Sequence, residues 1–157
     1  MISRFNLKQT EIDEIINKCE VCILSMIDEN NLPYALPFNF AYEDGIIYLH
    51  SAPEGKKINI LENNNNVCIS FSTDYKMYIQ SEKLACSFSM KYRSVLVFGK
   101  VEFCDHEDLE MKQKVLDLFM KKYSSGIEGY KYNPPALKNV KMFKIVPDKV
   151  EGKAYGY

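Results

Sequence analysis

Pro33-Tyr34-Ala35-Leu36-Pro37-Phe38-Asn39-Phe40-Ala41-Tyr42 alternates one residue at a time. Tyr34, Leu36, Phe38, Phe40 and Tyr42 share one face and Ala35, Pro37, Asn39 and Ala41 the other, the period of two that defines a strand. The large apolar face is suited to filling a barrel, while the small face leaves the backbone approachable by a flat ligand. Pro37 has no N–H to give a ladder, so it predicts a sheet edge or bulge where main-chain groups are free for a non-protein partner. An edge strand that uses small residues against aggregation has the same pattern.

Downstream of this run, Glu43-Asp44-Gly45 reads as a tight hairpin turn, with Ile46 to Ser51 returning from it. Ser51-Ala52-Pro53-Glu54-Gly55 breaks the strand, and Lys56 to Glu62 carries Ile58 and Leu61 at helical spacing before the Asn63 to Asn66 run stops it. Upstream, Cys22, Leu24 and Met26 lie on one strand face, closed by the turn Asp28-Glu29-Asn30-Asn31. Before them, Thr10 with Asp13 three residues on predicts the start of an amphipathic helix of about 9 residues, striped by Ile12, Ile15, Ile16 and Cys19.

Further strands are expected through Val67, Ile69 and Phe71, through Leu84, Cys86, Phe88 and Met90, and through Val95 to Phe103, where Gly99 marks a kink or close approach. Asp105 and Asp108 cap a helix with Leu109, Val115, Leu116, Phe119 and Tyr123 as its apolar stripe. A loop from Ser124 to Pro135 precedes a last strand from Val140 to Val150. Six or seven short, mainly adjacent strands with period-two faces predict an antiparallel barrel rather than a parallel sheet, which would need a helix at each crossover; about three helices flank it, in one domain over residues 1–157.

Composition excludes several functions. The 157 residues carry 20 Lys+Arg against 21 Asp+Glu, a formal net charge of −1, whereas a duplex-binding protein neutralises about 6–10 phosphates with clustered cations. No nucleic acid partner is expected. The N-terminus has no apolar stretch behind its charge, and no run reaches the roughly 18 apolar residues of a membrane span, so the expectation is a cytoplasmic protein with no membrane association. Five cysteines in hydrophobic segments read as reduced, mostly buried thiols. Cys19-Glu20-Val21-Cys22 has no second CxxC to complete a zinc site, and both thiols complete apolar stripes, so no metal is expected. Trp is absent, yet 11 Tyr and 9 Phe keep aromatic residues at 13%; these rings are either core or a platform for something flat.

His50-Ser51-Ala52-Pro53-Glu54-Gly55-Lys56-Lys57 places a hydroxyl, two ammonium groups and a helix N-terminus just beyond a strand end. Helix-start amides with Lys charge recur as phosphate sites, although a solvated helix start has the same composition. This is no Walker loop, because the glycine spacing and the GK[ST] ending are missing. Arg93 and Ser94, at the head of the long strand, can offer a guanidinium and a second hydroxyl to the same phosphate. One phosphomonoester carries only about −1.5 to −2, so a phosphorylated small cofactor fits a charge count that nucleic acid does not.

Taken together, Pro33-Tyr34…Pro37-Phe38-Asn39-Phe40-Ala41-Tyr42…Ile47-Tyr48-Leu49-His50-Ser51-Ala52…Gly55-Lys56-Lys57 and Tyr92-Arg93-Ser94-Val95…Phe98-Gly99-Lys100 resemble the pyridoxamine 5′-phosphate oxidase-like flavin-binding split barrels. Within them the sequence is most similar to the 5-nitroimidazole-resistance (Nim-type) branch. The resemblance implies a six-stranded antiparallel split barrel of Greek-key type and a homodimer with FMN between the subunits. It implies Pro37, Phe38, Asn39 and Phe40 alongside the isoalloxazine, Ser51, Lys56 and Lys57 near the phosphate, and Arg93 and Ser94 in the same site. His50 matches the histidine that Nim-type proteins present near flavin and substrate; a hydrogen-bonded structural histidine is the alternative. The implied activity is that of an oxidoreductase in which reduced FMN passes hydride to a small acceptor such as a nitroaromatic, with His50 or water supplying the proton. A non-catalytic flavin- or haem-binding or sensing module is the other expectation. No second basic cluster awaits the phosphate of a phosphorylated substrate, which argues against pyridoxamine 5′-phosphate as that substrate.

Overall fold

The computed structural model describes residues 1–157. In chain order the elements are β1 (Ser3–Arg4), α1 (Gln9–Lys18), β2 (Cys22–Ile27), β3 (Pro33–Phe38), β4 (Ala41–Glu43), β5 (Ile46–Ser51), α2 (Lys56–Asn63), β6 (Asn66–Ile79), β7 (Phe88–Phe103), α3 (Leu109–Tyr123), α4 (Pro134–Lys138) and β8 (Lys141–Tyr155). The strands form one antiparallel sheet in the order β3-β2-β6-β7-β8-β5-β4, with β1 added alongside β8. β1 and β4 are two and three residues long, so six longer strands carry the sheet, as expected of a split barrel.

The opening run is two strands rather than one. β3 pairs only with β2, Pro37 opposite Ile23, which makes it the edge that Pro37 predicts. The chain then turns at Asn39-Phe40 and enters β4, the other end of the sheet. Thus a two-residue corner joins both free ends and curls the sheet into a barrel. Phe38 packs edge-on against Phe143 at 6.0 Å and Phe40 against Phe71 at 4.9 Å, inside the barrel with Ile47, Leu49 and Val97. A second, smaller apolar cluster of Ala41, Val115, Phe119 and Met142 lies outside, beneath α3. Alternation along β5 divides its residues accordingly: Ile47 and Leu49 face the barrel, while Tyr48 packs against the outer cluster and His50 against its Phe119.

Local chemistry sets the connections. Asp44 and Gly45 both take positive φ, 50° and 80°, as a two-residue hairpin with primed-turn geometry requires. The Asp28 carboxylate accepts hydrogen bonds from the Asn30 and Leu32 N–H groups at 2.9 and 3.0 Å, which shapes the β2–β3 turn. At Gly99 a Cβ would stand 2.6 Å from the Val146 carbonyl oxygen, and the β7–β8 register shifts there, so the close approach expected of this glycine is real.

Several expected boundaries move. Helix α1 begins at Gln9 with Lys8 at its N-cap, not at Thr10, because the Glu11 carboxylate accepts the Lys8 N–H at 3.0 Å and pairs with Arg4 at 2.6 Å, leaving the Thr10 hydroxyl unused as a cap. Leu84 and Cys86 are not strand residues: they lie in the β6–β7 connection, where the Ser87 hydroxyl is hydrogen-bonded to the Ser81 and Leu84 carbonyls. Strand β7 starts at Phe88, so Arg93 and Ser94 sit within it rather than at its head. Strand β8 continues to Tyr155, since its end pairs with both β7 and β1. The stretch expected as one loop ends in α4, started by Pro134 and Pro135.

The last turn of α3 holds the corner. The Tyr123 hydroxyl accepts the Phe40 N–H at 3.0 Å and donates to the Glu20 carbonyl at 2.8 Å, and the Lys122 ammonium stands 3.8 Å over the Phe40 ring. Replacing Tyr123 by Phe is expected to cost about 1–3 kcal/mol, because it leaves polar backbone groups without their partner. Urea unfolding measures this; an unchanged midpoint would show that packing alone holds the corner.

Candidate functional site

Residues expected around a flat ligand separate by face. Pro37 and Asn39 are exposed on the outer side of the β3 edge, whereas Phe38 and Phe40 point their rings into the core. Only the backbone of the two phenylalanines is therefore open to a ligand lying along this edge. β3 is also one of the two ends of the sheet, where main-chain groups have no strand on one side.

At the other end of that edge lies the start of α2. Gly55 occupies the N-cap at φ 120°, with no side-chain cap, and the first helical backbone bonds to its carbonyl come from Ile58 and Asn59. The Lys56 and Lys57 amides therefore remain free at a helix N-terminus, a geometry that favours an anion. Lys56 extends over the Tyr34 ring, its ammonium 4.7 Å from the centroid and 3.6 Å from Asp28. Asp28 in turn is held ionised: the backbone N–H of Leu32, then that of Asn30 and the nearby Lys56, keep its carboxyl below the usual range. Lys57 is half-buried and Ser51 donates its hydroxyl to the Ala52 carbonyl at 2.8 Å. From Tyr34, beside Lys56, to Asn39 is five residues of nearly extended chain, roughly 17 Å at about 3.3 Å each. An elongated ligand with an anionic end and a flat end matches that edge.

Arg93 and Ser94 are not brought to this anion site within one chain. On β8, Ser51 is opposite Lys141 and Arg93 opposite Ala154, roughly 40 Å apart along the strand at about 3.3 Å per residue. Arg93 instead stands 3.5 Å from both Glu14 and Asp74 and under the Tyr157 ring, with its Nε buried and without a partner.

His50 is not on the open β3 edge either. Its ring packs edge-on against Phe119 at 4.5 Å, under α3, and its buried Nδ1 has no hydrogen-bond partner. Burial pushes its pKa below the ordinary 6.5, so the imidazole is neutral at neutral pH. The residue is half-buried, and Nδ1 is the ring nitrogen that burial leaves without a hydrogen bond.

Cys19 and Cys22 are buried, and burial raises both thiols, Cys22 to about 12, which leaves them unreactive. No group of three or more His, Cys, Asp or Glu side chains gathers as a metal site. No helix is long and apolar enough to cross a membrane. Sequence reasoning missed Tyr123, Lys122 and Asp28. The helical stripe shows Tyr123 as apolar surface, and nothing in it marks the hydroxyl that clamps the corner.

The β6–β7 hairpin leaves the body of the sheet with Tyr75, Met77, Ile79, Leu84, Phe88 and Met90 exposed. Contiguous apolar surface of this kind on a polar chain marks an interaction site.

The family profile described as pyridoxamine 5′-phosphate oxidase matches residues 8–154. Among solved structures, a Bacteroides thetaiotaomicron protein provisionally described as a 5-nitroimidazole antibiotic resistance protein is 39% identical, with a TM-score of 0.83 over 97% of this chain and 87% of that one. A flavocytochrome from Azotobacter vinelandii is 18% identical, with a TM-score of 0.79 over 99% of this chain and 70% of that one. An FAD- and haem-binding protein from Mycobacterium smegmatis is 14% identical, with a TM-score of 0.79 over 98% and 74%. At these last two identities the likeness is one of fold. No curated protein matches the chain.

The buried neutral His50 gives a pH signature. An unfolded imidazole takes up a proton near 6.5 while the folded one resists it, so stability is full above about pH 6.5 and declines as the pH falls below it. Melting temperatures at pH 7.5 and 5.5 are expected to differ less in His50→Gln than in the wild type. Equal differences would mean that His50 is protonated freely in the folded chain.

Proposed function

This chain belongs to the pyridoxamine 5′-phosphate oxidase family, and on that footing we propose that it is an FMN-binding oxidoreductase that reduces small molecules such as nitroaromatics. The observation that carries the reading is the β3 edge, with free helix-start amides and two lysines at one end and the exposed Pro37-Asn39 face at the other. These residues fit the cofactor: Ser51, Lys56 and Lys57 hold the phosphate, and the Pro37–Phe40 backbone lies along the ring. When bound, the reduced flavin supplies hydride to an acceptor.

The chain's own residues orient and shield. Asp28 and Tyr34 fix Lys56 at the phosphate end, while Tyr123 and Lys122 hold Phe40 so that the backbone beside the ring does not shift. Pro37 removes a donor that a further strand would need, which keeps the edge open to a ligand. His50, desolvated and neutral, is suited to relaying a proton only when α3 moves off its ring, and otherwise water is the proton source.

A homodimer completes the site. The exposed β6–β7 hairpin supplies its apolar contact, and Arg93 and Ser94 reach the phosphate from the second copy, since their own copy holds them at the far end of the sheet. The second reading is a binding or sensing module without turnover, favoured by the packing of the His50 ring against Phe119 rather than on the β3 edge.

The test is spectral. Purified protein is expected to take up FMN, and Lys56→Ala with Lys57→Ala is expected to weaken it at least about tenfold, since a hydrogen bond to a charged group contributes about 1.5–3 kcal/mol. Unchanged affinity removes both lysines from the site, and failure to bind FMN at all ends both readings. Bleaching by NADPH or dithionite followed by reoxidation with a nitroaromatic supports the reductase; a flavin that passes electrons to no acceptor supports the module. His50→Ala is expected to keep FMN and lose reductase activity, and full activity would return His50 to a packing role. Light scattering is expected to give a dimer that Phe88→Glu with Met77→Lys dissociates; a wild-type monomer would overturn the shared site.

A further inference from the structure

A second cavity lies on the opposite face of β5 from the barrel, under the N-terminal half of α3. It measures about 470 Å³, within the roughly 300–1,000 Å³ of small-ligand pockets. Its floor is apolar and partly aromatic, formed by Tyr48, Phe103, Met111, Val115 and Leu118, and Cys104 also lines it. It shares no lining residue with the β3 edge or the start of α2.

Polar groups converge at its rim. Lys144 is paired with Glu102 at 3.1 Å and Lys114 with Glu110 at 2.9 Å, so both cations already have their counter-charge. Glu43, from the β4–β5 hairpin, is the one carboxylate of the lining with no ion pair. It also borders a smaller neighbouring cavity with Lys121 and Lys122; the Lys122 ammonium is turned onto the Phe40 ring and the Asn17 carbonyl instead. Asp44, next in the hairpin, adds a second negative charge on this side of Tyr48. Burial keeps the Tyr48 hydroxyl protonated, as it does the Cys104 thiol. The lining thus carries two lysines and two glutamates over a partly aromatic floor, and Glu43 is the carboxylate left without a cation.

From this we infer that the cavity binds a small aromatic primary amine, its ring on Tyr48 and Phe103 and its ammonium at Glu43 and the Tyr48 hydroxyl. A protonated amine supplies what Glu43 lacks, and a flat ring fits the space between the sheet and α3. A carboxylate of the same shape meets an unpaired like charge, which is the basis of discrimination.

Cys104 reports occupancy directly. The purified full chain is alkylated with N-ethylmaleimide and each cysteine is followed by peptide mass spectrometry, with 2-phenylethylamine, with 3-phenylpropionate, or with neither. The amine at about ten times its Kd is expected to slow Cys104 about tenfold, while Cys86, exposed on the β6–β7 connection, reacts at its unprotected rate. 3-Phenylpropionate is expected to give no protection, and Glu43→Gln to abolish that given by the amine. Equal protection by both probes, none by either, or protection that persists in Glu43→Gln would overturn the inference. Where Cys104 proves inert to maleimide, saturation-transfer NMR replaces alkylation: signal transfer to the amine alone, lost in Glu43→Gln, is expected, and transfer to both probes or to neither would overturn the inference.

Discussion

The Tyr123 hydroxyl takes a hydrogen bond from the Phe40 N–H and gives one to the Glu20 carbonyl, and through it the end of α3 grips the place where both ends of the sheet meet. A seven-strand path from β3 to β4 would be an open, twisted sheet with two exposed edges. The chain avoids this because residues 39 and 40 carry it from one end straight to the other. Phe40 anchors the turn by its ring in the barrel and by its backbone in Tyr123, with the Lys122 ammonium covering the ring. Since Phe38 and Phe40 point inward, Pro37 and Asn39 must face out. The same constraint that closes the barrel thereby turns the small residues of the β3 edge outward.

Both ends of that edge are set by short-range chemistry. At the far end, Asp28 does two jobs: it accepts the turn's own N–H groups and it offers a counter-charge to Lys56. Hydrogen bonds from the turn keep it ionised, so the Lys56 ammonium is held beside Asp28 and over the Tyr34 ring. On the other face of β5, alternation sends Tyr48 and His50 beneath α3. One helix therefore serves the barrel corner with its last turn and roofs a separate cavity with its first half.

What the sequence made legible was whatever depended on neighbours along the chain. Alternation revealed β3, Asp44-Gly45 revealed the hairpin, Pro37 the edge, Gly99 the close approach, and Gly55-Lys56-Lys57 the helix start. Quantities that depend on distant pairing were not legible. Arg93-Ser94 carries no mark of its register with Ala154, and so nothing along the chain tells that it lies far from Ser51. Nor does His50 show its orphaned Nδ1, which follows from Phe119 arriving some seventy residues later. Thr10 misled for a related reason: a Thr with an acid three residues on is a sound cap signal, but Glu11 had already been engaged by Lys8 and Arg4.

A crystal structure of the chain grown with FMN decides whether the open β3 edge is the cofactor site. The phosphate is expected at Ser51, Lys56 and Lys57, the ring along Pro37 and Asn39, and Arg93 and Ser94 approaching from a second copy. Flavin density elsewhere, or a phosphate held by Arg93 of the same copy that provides Lys56, would contradict it.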